Sequence, residues 1–409
     1  MRPTDTAHHS HVGKLGGSAD SIGVPTVGVE EEFTLLDPCS GAVVPAAVEI
    51  IRECGYPTRV VAESMRFMVE TRTPVCTTLA EVHDALSTLR RRVAEVASRH
   101  GVIAVATGVA PFGLPDPPQV TDEPRYNELA QRFPTAMRTN GTCGCHVHVG
   151  VPTRQVAVEA LLRLRPWLPP LIALTANSPI WEGEVTSWAS QRFILASRWP
   201  TLMPAPPARS VEEYDQMVDQ AVASGQALDR RSVYFLARLS PRYPTIEVRA
   251  ADMSLTAEDA VAYAGLVRAL VSMAVDDAAA GRPLVPVRQE LLRRCCRSAA
   301  RAGLRGMVAD PQTGSPVRSW ELVDDMVTRV EPHLRAHGDE ALVLSTINRL
   351  RAVGGGADRQ RSLFRRAGSP AAFVAALATI TTGEPCGESS LPQHPSGLWP
   401  GKVQRFSGS

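Results

Sequence analysis

The run Val27-Gly28-Val29-Glu30-Glu31-Glu32-Phe33-Thr34-Leu35-Leu36-Asp37 reads as a strand in which glutamates stand among apolar residues. Successive strand side chains point to opposite faces, so Glu30 and Glu32 share one face. A helical period follows: Leu79, Val82, Leu86, Leu89, Val93 and Val96 form one stripe between Leu79 and His100, and Gly101 ends it. Residues 25–110 therefore predict strand, short connection, strand, helix, and a strand from Val102 to Thr107. The proline-rich stretch 108–124 is a loop, 125–140 looks helical, and Gly144 to Val151 is a strand.

Val156 to Ala176 is helical with interruptions at Pro166 and Pro169-Pro170, and 177–209 is loop-rich. Two helical segments flank a strand from Thr245 to Ala250, the second starting at Ala257 and reaching Ala280. Residues 287–380 are mostly helical, broken at 310–316 (DPQTGSP) and at Gly354-Gly355-Gly356. Strands and helices mix without βαβ alternation, which predicts an α+β fold on an antiparallel sheet. The small, polar residues 1–24 read as a disordered tail, 25–382 as one folded domain, and 383–409 as a flexible Gly/Pro/Ser-rich tail. No internal repeat is visible.

Composition narrows the classes. With 409 residues, 44% of them hydrophobic, the chain can bury a large core. A net charge of +1 gives no basic field for nucleic acid or acidic membranes. Nearly every cation is arginine, with lysine at the ends as Lys14 and Lys402, so a phosphate clamp must be made of guanidinium groups. The eight cysteines include no C-x-x-C pair, Cys143 and Cys145 are too close for an ordinary bridge, and Cys295-Cys296 are adjacent. Reduced thiols in a cytoplasmic protein follow as the expectation. The first residues lack the apolar segment of a signal peptide, and no apolar run reaches membrane-spanning length. His8, His9 and His11 in the tail read as an adventitious metal binder at most.

Five segments carry chemistry. Two carboxylates side by side on one strand face are costly without a cation between them, so Glu30 and Glu32 point to a hard divalent metal and phosphate; a half-solvated strand is the bland alternative. Glu63 and Glu70 bracket a second acidic stretch (ESMRFMVE). His146 and His148 share a strand face; alone they fit zinc, but among glutamates they fit Mg²⁺ or Mn²⁺ equally, and two core histidines are the plain reading. Glu247 and Arg249 place a carboxylate beside a guanidinium, which is also the pattern of a surface ion pair. Finally, Gly355-Gly356-Ala357-Asp358-Arg359-Gln360-Arg361 either grips an anion or caps a helix. No Walker A loop, dinucleotide fingerprint or nucleophile elbow occurs, so a bound nucleotide would rely on metal ions and arginines.

In this order, the motifs VGVEEEF, ESMRFMVETRTPVC, GCHVHVGV, PTIEVR and GADRQR resemble the glutamate–cysteine ligase type 2 family, the carboxylate–amine ligases of bacteria. The resemblance runs from about residue 25 to 380. It implies a glutamine synthetase-like fold: a curved antiparallel sheet forming a half-barrel funnel, with helices packed on its outer face. It implies that Glu30, Glu32, Glu63, Glu70, His146 and Glu247 bind Mg²⁺ or Mn²⁺, and that His148 lies near the ATP phosphates. Arg249, Arg192 and Arg238 would serve the reacting groups, and Arg301 and Arg359 the nucleotide. The implied reaction is ATP-dependent amide formation through an acyl phosphate, most simply from L-glutamate and L-cysteine. The partners are amino-acid-like small molecules, and a homodimer is compatible with the family.

Three segments depart from the family pattern. Phe235-Leu236-Ala237-Arg238-Leu239-Ser240 stands for W-D-V-R-P-S, and Arg297-Ser298-Ala299-Ala300-Arg301-Ala302-Gly303-Leu304 for W-R-A-A-R-x-G-L. Trp188-Ala189-Ser190-Gln191-Arg192 stands for a YASYR-like run. These changes keep open a ligase for another acid or amine; an ATP- and metal-binding descendant without turnover is a separate alternative, and the His146/His148 pair leaves a zinc hydrolase as another.

Overall fold

The computed structural model describes residues 24–383, so both terminal tails, with the His8, His9 and His11 cluster, lie outside the described residues. The strands are β1 (Val27–Leu36), β2 (Val60–Ala62), β3 (Met68–Arg72), β4 (Ile103–Val105), β5 (Gly144–Gly150), β6 (Ile180–Trp181), β7 (Glu184–Val185), β8 (Ala237–Leu239), β9 (Thr245–Asp252), β10 (Met307–Ala309) and β11 (Pro316–Arg318). Seven of them form one antiparallel sheet in the order β2-β3-β1-β5-β9-β8, with β4 pairing to β1 at one end. The sheet is open, and the α+β expectation holds.

Fourteen helices surround it among the described residues. The first half supplies α1 (Ala47–Cys54), α2 (Leu79–Arg99), α3 (Pro124–Arg132), α4 (Pro134–Met137), α5 (Arg154–Leu164), α6 (Leu168–Thr175) and α7 (Gln191–Ala196). The second supplies α8 (Val211–Ala223), α9 (Ala257–Ala279), α10 (Gln289–Ala302), α11 (Ser319–His337), α12 (Glu340–Val353), α13 (Gly356–Ala367) and α14 (Pro370–Thr382). Thr78 and Glu81 close a capping box at the start of α2, where the sequence reads T-x-x-E before the apolar stripe. Pro134 splits the segment 125–140 read as one helix, and the expected interruption at Pro166 separates α5 from α6, because proline cannot donate to the turn before it.

Several elements escaped the sequence reading. Helix α1 lies inside the segment read as a connection, with Ala47, Ile50 and Cys54 buried on one stripe. Helix α7 stands within the stretch read as loop, β8 precedes the expected strand, and β10 and β11 form a hairpin around the DPQTGSP break.

Strand alternation sorts the sheet into two faces. Val27, Val29, Cys145, Val147, Val149, Ile246 and Val248 are buried in one apolar cluster with α5, α9 and α10 residues on the helix side. Helix α9 is buried along most of its length, so it is apolar nearly all round. The polar residues of the same strands face the other way. Glu31, the odd member of the glutamate run, points to the helix side and is 0% exposed. Arg90 of α2 meets it with Nε at 2.9 Å and Nη2 at 2.5 Å, and gives its other bonds to the carbonyls of Ser254, Leu255 and Thr381.

Candidate active site

Register brings the polar residues into one row. Glu32 is opposite Glu70 and Glu30 opposite Arg72 on β3, while Glu30 is also opposite His146 on β5. His148 is opposite Glu247 on β9, and Arg238 on β8 is opposite Glu247 from the other side. The ladder between β5 and β9 shifts between Cys145 and Val147, a bulge that sets Arg249 and Ala250 against His146. Together these side chains line a funnel of about 190 Å³, with Glu63, Arg192, Arg125, Tyr126, Asn140, Trp199 and Tyr234 completing its wall.

Two groups of donors lie within reach of a metal ion. Ligand atoms of Glu32, Glu63 and Glu70 lie within 4.8 Å of one another, and so do those of Glu30, His148 and Glu247. The imidazole in a donor group is thus His148, which was expected beside the phosphates, and His146 falls outside both groups. Beside the bulge Arg249 stands 3.3 Å from His146 Nδ1, while His146 Nε2 is buried without a hydrogen-bond partner among the described residues. His146 Nδ1 also faces Glu30 at 3.5 Å and its Nε2 faces Glu32 at 3.9 Å. Burial and the Arg249 charge push the His146 pKa down to about 3, so this ring is neutral.

Electrostatics separates the two groups. The Glu32 carboxyl is pushed up to about 8 by burial and by the Glu63 charge, against Arg192 and the Gly144 N–H that donates to it at 2.6 Å. Glu70 is held well above the usual range by burial and the Glu30 charge, although Arg72 donates to it at 2.5 Å. This first group is acid in excess. In the second, burial raises Glu247, but Arg249 and Arg238 outweigh it and hold the carboxylate ionised. Arg238 Nε and Nη2 reach Glu247 at 2.9 and 3.2 Å, and its Nη1 donates to the Arg231 and Val233 carbonyls. Every arm of Arg238 is therefore engaged, and its direct effect is to orient Glu247. Burial likewise raises Glu30, and the imidazoles of His146 and His148 bring it below its ordinary value.

The donors fit a hard divalent cation. Like charges crowded in a buried site protonate unless a cation relieves them, and the first group shows that frustration. In the second, His148 Nδ1 bonds Thr245 Oγ1 at 3.0 Å while its Nε2 is buried without a partner and 3.7 Å from Glu30. A ring held at one nitrogen and free at the other is how a histidine ligand is presented.

Two expected residues lie elsewhere. Arg359 is on α13, paired with Asp259 at 3.3 Å, and Arg301 is on α10 with its guanidinium over the Trp188 ring at 5.9 Å; neither lines the funnel. Their motifs are specific in sequence, but their arginines face helices rather than the sheet. The altered family segments also face away: Leu236 and Leu239 are buried in the helix-side core, and Trp188 and Gln191 do not line the funnel. Arg192 and Arg238, the unaltered members, do line it. Sequence reasoning missed Arg72, although it alternates with Glu70 on one strand. It also missed Arg125, Tyr126, Asn140, Trp199 and Tyr234, which no spacing signals.

Comparison with known proteins identifies the family and the fold. Residues 26–386 match glutamate-cysteine ligase family 2. A Saccharopolyspora erythraea protein provisionally named glutamate–cysteine ligase 2-1 is 44% identical over 342 residues, 83% of this chain and 90% of its own. A Rhodopirellula baltica protein provisionally named glutamate–cysteine ligase 2 is 37% identical over 350 residues, covering 83% and 94%. Among solved structures, glutamate–cysteine ligase of Francisella tularensis in complex with AMP aligns with TM-score 0.59 and 13% identity, over 88% of this chain and 92% of that one. A bifunctional glutathione synthetase from Pasteurella multocida aligns with TM-score 0.61 and 15% identity, over 88% and 52%. At those identities the structural likeness speaks for the fold, which is glutamine synthetase-like. The chain belongs to glutamate-cysteine ligase family 2, and with it to the ATP-dependent enzymes that join a carboxylate to an amine.

Proposed function

We propose that the funnel joins an amino-acid carboxylate to an amine through an acyl phosphate, with L-glutamate and L-cysteine as the first pair to test. The observation that carries this reading is the pair of buried donor groups standing side by side on β1, β3, β5 and β9 within an arginine-lined funnel. The names of the relatives and the intact funnel-lining positions support the substrate pair. Where the sequence departs from the family, Phe235, Leu236 and Leu239 pack into the core, and Trp188, Gln191, Arg297 and Ser298 do not line the funnel, so they give no reason to favour another acid or amine.

A free carboxylate is a poor acyl donor, and phosphorylation supplies the leaving group that the amine then displaces. Glu32, Glu63 and Glu70 would hold one divalent cation and Glu30, His148 and Glu247 another. Bound there, Mg²⁺ or Mn²⁺ would neutralise the triphosphate and polarise its phosphorus. Arg249 and Arg192 line the same funnel and would stabilise negative charge on the oxygens in motion. Arg238 keeps Glu247 ionised and in place. Trp199 and Tyr234, in edge contact at 5.2 Å, wall the funnel and limit water, which would otherwise hydrolyse the activated acid.

The test is ADP release with Mg²⁺ or Mn²⁺, screened over acids and amines. Glutamate- and cysteine-dependent ADP release is the expected result, and stimulation by another pair alone would replace those substrates. Glu30→Gln should lower turnover by about 100-fold or more, with the fold intact by circular dichroism. Full activity in that variant overturns the site assignment.

A further inference from the structure

We propose that Asp252 is the positioning residue for Arg192: through two serine hydroxyls it fixes the first turn of α7 and so aims the Arg192 guanidinium into the funnel. This rests on the reading above that Arg192 meets the reacting groups. Asp252 ends β9, is 2% exposed and does not line the funnel. It accepts from Ser178 Oγ at 2.6 Å, Ser190 Oγ at 2.6 Å and the Asn177 N–H at 2.8 Å. No cation lies within ion-pair distance of it among the described residues, an arrangement that burial penalises unless the hydrogen bonds serve a purpose.

The purpose lies in the direction those bonds impose. A carboxylate only accepts, so each serine must give its single proton to Asp252 and turn its lone pairs elsewhere. Ser178 Oγ accepts from the Arg192 N–H at 3.0 Å, and Ser190 Oγ accepts from the Phe193 N–H at 3.1 Å. These are first-turn amides that have no partner within a helix. Helix α7 spans six residues, too few to hold itself by its own ladder. Among the described residues the Arg192 side chain has few hydrogen bonds to hold it: its Nε is buried without a partner and Nη2 reaches the Arg249 carbonyl at 3.5 Å, although its charge is also felt by Asp252 and Glu32. The guanidinium therefore takes its place from the backbone that carries it, and that backbone takes its place from Asp252.

The GADRQR stretch joins the same network. Gln360 is fully buried and its Nε2 donates to Asn177 O and Oδ1, both at 2.8 Å. Asn177 Nδ2 in turn donates to the Met253 carbonyl at 2.8 Å, next to Asp252. A motif that resembled an anion grip thus braces the turn from which Asp252 and Ser178 act. Gly108 leaves room for it, since a Cβ there would lie 2.8 Å from Asp252 Oδ2.

Asp252→Asn keeps the shape and puts a donor on one side, so the serine facing it loses the acceptor for its proton and must rotate or leave that proton unpaired in the buried turn. In its crystal structure Arg192 should be displaced by about 1 Å or more. With the substrate pair found by the screen, kcat should fall about 10- to 100-fold while KM for ATP changes less than about twofold. In an Arg192→Gln background Asp252→Asn should add less than about twofold, because both changes remove one contribution. Ser190→Ala, which cuts one relay, supplies the same readings if Asp252→Asn does not fold. Arg192 unmoved in the variant structure, or losses that multiply across the two backgrounds, overturns the proposal. If no acid–amine pair turns over in the unaltered protein, the functional reading fails, and the position of Arg192 in the variant structure alone decides this one.

Discussion

Replacing Arg90 by methionine leaves the Glu31 carboxylate at 0% exposure with no cation beside it. Arg90 is itself 1% exposed, and its donors reach both Glu31 oxygens and three carbonyls on two further segments. Removing one partner of such a pair costs about 3–5 kcal/mol, since the other charge is left buried without compensation. Unfolding residues 24–383 carries an entropy of roughly 0.75 kcal/mol/K at about 2.1 cal/mol/K per residue. Arg90→Met should therefore lower Tm by roughly 5 °C. The double change Glu31→Leu with Arg90→Met removes both charges and should recover most of that loss, to within about 1 kcal/mol of the unaltered protein. Calorimetry or circular dichroism of the three variants completes the cycle. The reasoning fails if the double variant melts as low as Arg90→Met, because stability would then come from the contacts of the arginine and not from charge pairing.

Two further outcomes concern the funnel. Divalent-metal affinity should rise with pH up to about 8, where Glu32 sheds its proton, and below that fall by about tenfold per pH unit for one displaced proton. Mn²⁺ titration followed by electron paramagnetic resonance reads this, and a flat profile from about pH 6 to 8 contradicts it. The same raised pKa acts oppositely on folding without metal: the protonated Glu32 favours the fold below 4.5, and that contribution is lost as pH climbs through about 8. Gly144→Ala should spare Tm yet depress turnover, since its Cβ would lie 2.9 Å from His146 Nε2 and overlap the movable end of Arg192. A crystal structure with Arg192 displaced and activity unchanged counts against that guanidinium being needed where it stands.

Strand faces were legible because period-two alternation is local: Glu30 with Glu32, His146 with His148, and Glu247 with Arg249 needed only the chain itself. What alternation omits is the neighbour. Glu31 shares the same run, yet only the fold reveals that it faces Arg90 on α2. That Arg249 stands against His146 while His148 meets Glu30 and Glu247 follows the register on either side of a bulge between β5 and β9, which nothing in either strand announces. Arg301 and Arg359 show the limit of motifs, which give residue order but not the direction a helix faces. Leu236 and Leu239 show it for departures, since a changed residue in a short strand can belong to the core.

The position of β1 in the sheet also has a temporal side. It is the first strand made, yet the amide that donates to Glu32 comes from Gly144, and Glu247 arrives only with β9. Arg90, which holds the back of β1, waits for the carbonyl of Thr381 in α14. During synthesis the glutamates of β1 must therefore persist beside unfinished partners until nearly the whole described chain has emerged. Contacts this distant in sequence slow folding and expose strand edges meanwhile. A nascent chain stopped before residue 245 would carry the whole first donor group, Glu32, Glu63 and Glu70, without the arginine of β9, while the second would lack Glu247 until that strand joins the sheet.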